Sequence, residues 1–249
     1  MKKLCIAVTA IMIMASCKKE NVNAPVVIEP APVFDKQLKT ESVTYSDGSY
    51  ELMNYSFDAK GRMTSFKKEY PGTVGTKAFD YSTPGKIIVK QTYNSTPTLN
   101  YDCTENSKEY ITDMTIRLAN GSLYQSEKFT YDANGHIIRK EMTNAAGDIR
   151  HFETKVENGN ITEFKFYENG LLNYSATLTY DLTKYNSLIS PIGSNWEGSS
   201  FGKPSKNLMT SYKITRPDGA VSLHMQYTNQ LDAAGYLAKR ISTDILENK

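Results

Sequence analysis

The chain has little of what most enzyme chemistry needs. Its 249 residues include three cysteines, three histidines and one tryptophan. His136, His151 and His224 lie far apart and form no His-x-x-x-His or His-Glu pair, so a zinc site has little to build on. A Gly-x-Ser-x-Gly elbow, a P-loop and a dinucleotide fingerprint are missing as well. So is an excess of one charge: 29 Lys and Arg stand against 27 Asp and Glu. Discounting Lys2 and Lys3 in the N-terminal leader leaves 27 basic groups, equal to the acidic ones. Such a balance gives no electrostatic footprint for nucleic acid. These absences argue against an enzyme, a metal, an organic cofactor and a nucleic-acid partner.

What is present begins with MKKLCIAVTAIMIMASC, residues 1–17. Lys2 and Lys3 precede an apolar run from Leu4 to Met14, broken only by Thr9. The run is too short to span a bilayer comfortably and has the layout of a secretory signal. Met14-Ala15-Ser16-Cys17 resembles the bacterial lipobox, which implies cleavage after residue 16 and acylation of Cys17. Each buried methylene of an acyl chain adds about 0.8 kcal/mol, so several chains give a durable membrane anchor. Residues 17–34 then carry Pro25, Pro30 and Pro32, which disfavour helix and make an extended tether. With Cys5 discarded and Cys17 lipidated, Cys103 is left alone and no internal disulfide can form. Cys103 alternates with Leu99 and Tyr101, the setting of a small buried hydrophobe.

Residues 35–249 read as one all-β domain. Apolar residues recur with period two, as in Tyr110, Thr112, Met114, Ile116 and Leu118, or Leu172, Tyr174, Ala176, Leu178 and Tyr180. Gly, Asn, Asp and Pro turns separate about fifteen such segments, most joined by short links. Short links imply an antiparallel meander of hairpins. That many strands exceed what an open sheet carries flat, so the expectation is a barrel-like or strongly curved sheet, with a two-layer sandwich as the alternative. The polar alternate positions argue against a transmembrane barrel, which needs an outward apolar band.

Three stretches repeat one design: Asp47–Met63, Asn120–Ile137 and Asp218–Leu237. Each opens on Asp-Gly or Asn-Gly, runs through a strand, and ends in Asp-x-x-Gly at Asp58–Gly61, Asp132–Gly135 or Asp232–Gly235. An Asp at the first turn position caps its own backbone, and Gly accepts the left-handed position. The three carboxylates therefore read as turn residues rather than as a hydrolytic pair. Phe57–Met63 and Tyr131–Ile137 resemble the tyrosine–aspartate (YD, Rhs-type) repeat, with Leu231–Leu237 a poorer copy. A lipobox followed by such hairpins is similar to a group of Bacteroidota lipoproteins of unknown function whose domain is described as porin-like. The resemblance implies a fold and an envelope location, not an activity.

One segment interrupts the meander. Asp181–Asn207 holds Trp196 and Phe201 among Gly193, Gly198 and Gly202. These aromatics read either as a platform for a ligand, such as a glycan, or as a plug in one end of a rolled sheet; large aromatics bury when a core is within reach, which favours the plug. His136, after a turn glycine, is expected to be exposed, and His151 to be a solvated strand residue. The function expected is a lipid-anchored binding or scaffold module of the cell envelope, at the outer membrane, with no catalysis. Its partners would be the membrane through Cys17 and a glycan or envelope protein. The alternative is a carrier of an apolar small molecule in a barrel-like cavity.

Overall fold

The computed structural model describes residues 39–45, 47–186 and 199–246. They form fifteen strands in one sheet whose spatial order is the sequence order, every neighbour antiparallel. The strands are β1 (Thr40–Thr44), β2 (Tyr50–Phe57), β3 (Met63–Tyr70), β4 (Thr73–Asp80) and β5 (Lys86–Tyr93). Next come β6 (Thr96–Glu105), β7 (Ile111–Leu118), β8 (Leu123–Tyr131), β9 (Ile137–Asn144) and β10 (Ile149–Glu157). The series closes with β11 (Asn160–Glu168), β12 (Leu171–Tyr185), β13 (Asn207–Thr215), β14 (Val221–Leu231) and β15 (Leu237–Asp244). The expected meander is therefore present, as one curved sheet rather than a sandwich.

A meander sends alternate turns to opposite ends. The Asp-x-x-Gly turns join β2 to β3, β8 to β9 and β14 to β15, so all three lie at one end, called here the closed end. The Asp-Gly and Asn-Gly turns that open the three stretches lie at the other, the rim. The three similar stretches thus supply β2, β8 and β14, six strands apart. Their turns share one chemistry. Asp58 Oδ1 accepts from the amides of Lys60 and Arg62, both at 2.9 Å. Asp132 Oδ1 accepts from His136 N at 2.8 Å, and Asp232 Oδ1 from Ala234 N and Tyr236 N at 2.9 and 3.0 Å. Gly61, Gly135 and Gly235 all take positive φ. Asn106 builds the same turn between β6 and β7, with Glu109 in the left-handed position at φ 61°.

Bulges curl the sheet. At the closed end one extra residue enters near the start of β3, β7, β9, β11, β13 and β15. Each bends its strand and raises the local twist. The edges β1 and β15 do not pair; burial lowers the pKa of the Arg240 guanidinium on β15, and Tyr227 and the Glu41 carboxylate on β1 partly offset this. The sheet is curved and not closed. One face is concave, and the core lies on it. Ile87, Val89, Tyr101, Cys103, Met114, Ile116 and Phe129 form its centre, with a smaller group of Met53, Tyr55, Met63 and Phe66 beside it.

Candidate functional site

The concave face is built from three parts with different chemistry. The first is the packed core on β5–β9, where Ile87, Ile111, Ile137 and Cys103 are at most 2% exposed. Burial pushes the Cys103 thiol up to about 12, so it stays protonated and is no nucleophile.

Toward the rim this core gives way to polar side chains on the same face. Lys77 on β4 is opposite Gln91 on β5, and the Tyr101 hydroxyl on β6 donates to Gln91 Oε1 at 2.7 Å. Lys77 Nζ lies 5.0 Å from the centre of the Tyr101 ring. On β8, Gln125 Nε2 donates to Glu127 Oε1 at 2.5 Å. Glu127 is 5% exposed, and its Oε2 has no aligned hydrogen bond; what compensates that charge is Lys140 Nζ on β9, at 2.8 Å. Lys140 also sits over Phe129 and Phe152, 5.2 and 5.7 Å from the ring centres.

The third part is an aromatic wall on β10–β14. Phe152 faces Phe166 across one ladder, and Phe166 faces Tyr174 across the next. Ring centres lie 4.9 Å apart for Phe152–Phe164, 5.1 Å for Phe166–Tyr174 and 5.9 Å for Phe164–Tyr174. Ala176, Ile214 and Leu223 continue the surface across β12–β14, with Tyr212 and Met225 beside them. Unlike the β5–β9 core, the rings of this wall are only half-buried. Burial, and then the neighbouring Tyr174 and Tyr227, push the Tyr212 phenol up to about 12. These phenols therefore keep their protons and are available as hydrogen-bond donors.

The closed end is crossed by residues 199–207. Phe201, 3% exposed, enters the core and packs edge-on against Phe129 at 5.2 Å. Lys203 N donates to Gly135 O at 2.8 Å, and His136 Nδ1 lies 3.2 Å from Lys203 O. Ser205 Oγ accepts from Ile161 N at 3.1 Å and contacts the Tyr180 hydroxyl at 2.9 Å. Lys206 N donates to Gly159 O at 2.8 Å. Asn207 N donates to Asn160 Oδ1 at 2.9 Å, while Asn160 Nδ2 donates to Asn207 Oδ1 at 3.0 Å. This strap is pinned to two turns, and Phe201 sits beneath it.

Of the residues singled out in the sequence, Cys17 and Trp196 lie outside the described residues. Phe201 is in the core. His136 is not exposed as expected: at 6% exposure it is covered by the strap, whose path cannot be read from local sequence. His151 is not freely solvated, because its ring stacks on Tyr167 at 4.6 Å and 10°. Asp58, Asp132 and Asp232 are turn caps. Among the described residues no group of three His, Cys, Asp or Glu could hold a metal ion. The wall of Phe152, Phe164, Phe166, Tyr174 and Tyr212 was not singled out, since alternation shows which residues share a face but not that four strands curl around them.

The convex face is polar. Arg139 bonds Glu153 at 2.6 Å, Lys165 pairs with Glu163 at 3.0 Å, and Thr76 with Thr92 at 2.6 Å. An apolar belt suited to acyl chains is missing from it among the described residues.

No known protein family matches the chain. Curated proteins yield no relative either. Among solved structures it is similar to a porin-like protein from Bacteroides uniformis, with a TM-score of 0.61 over 82% of this chain and 92% of that one. The two sequences are 15% identical, so the similarity is one of fold.

Proposed function

We propose that the domain is a non-catalytic binding module of the cell envelope, held at the outer membrane by a lipid on Cys17, whose ligand is an apolar small molecule lying against the concave aromatic wall. The observation that carries this reading is the half-buried cluster of Phe152, Phe164, Phe166, Tyr174 and Tyr212 inside a sheet whose convex face is polar. Pockets for small molecules are mostly apolar, with a few placed polar groups, and rolled sheets of this kind hold one ligand. Aromatic rings supply contact area and orientation, and the protonated phenols supply donors. A glycan polymer is less suited, because the wall is on the concave side and the strap crosses one end. The absence of catalysis is supported by carboxylates used as turn caps and a thiol that burial keeps protonated.

Native mass spectrometry of the detergent-free protein tests the ligand. A bound apolar molecule lost in Phe166→Asp, with the sheet signal in circular dichroism intact, is the expected result. Folded protein that binds no member of a lipid panel would sink the proposal. Metabolic labelling with a fatty acid tests the anchor separately: the parent should take up the label and Cys17→Ser should not.

A further inference from the structure

Of the twelve large hydrophobic side chains exposed among the described residues, ten belong to the rim. They include Tyr50 at 52%, Tyr93 at 44%, Tyr124 at 50%, Ile149 at 44%, Leu171 at 76% and Val221 at 40% exposure. The other two are Leu182, at the closed end, and Ile241 in mid-strand. The ten are spread over hairpins from β1–β2 to β13–β14 rather than gathered on one side. Scattered single hydrophobics need no explanation, but concentration at one end of a molecule marks an interaction surface.

We propose that this rim is a docking surface for a lipid bilayer. A target that meets every hairpin end at once must be broad and must not demand one fitted shape. A fluid interface meets both conditions. The composition agrees: tyrosine and leucine with polar turn tips match a headgroup region, where amphipathic rings lie half in each phase. Charges among these turns are of both signs, Arg117, Arg150 and Arg216 against Asp47, Asp148 and Asp218. The surface suited to the rim is therefore a zwitterionic one, held by apolar contact.

Chain connectivity permits this placement even if Cys17 is anchored in the same membrane. The described chain begins at Lys39, at the closed end. The 22 residues from Cys17 to Lys39 reach about 70 Å when extended at about 3.1 Å each. An eight-residue strand spans about 26 Å at about 3.3 Å per residue. The tether is long enough to bring the rim down to the bilayer. The proposal does not depend on a ligand at the aromatic wall, so failure of one leaves the other standing.

The test uses the chain from Lys18 onward, which keeps every described residue and lacks both the apolar leader and the acylated cysteine, with phosphatidylcholine vesicles in a flotation assay. The protein should float with the vesicles, and high salt should change this little. Leu171→Asp with Tyr124→Asp should weaken binding by about tenfold or more, as expected for two charged residues at an apolar contact. Leu182→Asp, equally exposed but at the closed end, should bind as the parent does. All these sites are exposed, and circular dichroism checks that each variant is folded. A folded, monodisperse parent that stays off the vesicles overturns the proposal. So does equal loss with Leu182→Asp, or self-association that the rim variant abolishes in place of vesicle binding.

Discussion

The Tyr131 hydroxyl on β8 donates to the backbone carbonyl of Ile111 on β7 at 2.6 Å, next to the bulge that begins β7. The arrangement recurs. Tyr81 donates to Met63 O at 2.9 Å, Tyr180 to Ile161 O at 2.6 Å, Thr154 to Ile137 O, and Asn229 Nδ2 to Met209 O at 2.9 Å. In every case the carbonyl belongs to the residue just before an extra residue, and the donor comes from the next strand on the concave face or, for Tyr81, from the residue directly after that strand. The side chain takes up a carbonyl that the bulge turns out of the ladder.

Removing one such hydroxyl isolates its contribution. Tyr131→Phe and Tyr180→Phe keep the rings; the first should lower stability by about 1 kcal/mol and the second by somewhat more, since it also loses the Ser205 Oγ contact, read from urea unfolding at unchanged m-value. Their effects should add, since they share no partner. A neutral result for both would mean that water satisfies these carbonyls equally well.

Glu127 and Lys140 make a sharper contrast. Lys140→Met leaves a carboxylate that is 5% exposed without its cation, and should cost about 3–5 kcal/mol. Glu127→Leu combined with Lys140→Met should recover most of that loss. A double variant no better than the single one would show that the pair itself is worth more than its desolvation.

Alkaline pH should weaken the fold. Burial raises Cys103, Tyr81 and Tyr212 to about 12 and pushes Tyr101 higher still. In the unfolded chain these groups ionise near pH 9 to 10, so above that range the unfolded state binds fewer protons than the native one. The stability is complete below about pH 9 and is lost as pH climbs toward 12. Thermal melts at stepped pH, with tyrosinate absorbance recorded alongside, check this. A flat profile up to pH 11 would contradict it.

Gly202 is where the strap tolerates no side chain. Its φ is +91°, and an added Cβ would lie 2.6 Å from Gly135 O and 2.7 Å from Tyr131 Cε1. Gly202→Ala should cost about 2–3 kcal/mol or more, with clash added to backbone strain. Gly48→Ala, at φ +83° with open space around it, should cost about 1 kcal/mol. Chemical denaturation of the two variants separates strain from crowding.

The sequence shows some of this directly and hides the rest for physical reasons. Asp58, Asp132 and Asp232 announce their turns because cap and glycine sit within four residues. The equivalent turn at Asn106 is hidden, since Glu109 occupies the position where glycine is the usual signal. The bonds of Tyr131 and Tyr180 depend on bulges, hence on ladder register, which no single strand encodes. The strap joins Ser205 to Ile161 and Asn207 to Asn160, 44 and 47 residues apart, and follows from tertiary packing alone. The aromatic wall needs both the alternation and the curl of the sheet to exist as a surface.

A sheet in which each strand pairs only with its neighbours in sequence has few of the long loop closures that slow most β proteins. Its hairpins can form one after another, as repeats do in a solenoid, and the low mean separation of contacts favours fast assembly. The same topology lets the sheet unzip from its edges. β1 is five residues long and held on one side only, so it should exchange its amides first. Residues 199–207 are the exception, because they tie β13 back to the β8–β9 and β10–β11 turns. Cooperativity in this molecule should therefore be uneven, with β8–β13 opening as a unit while β1 frays.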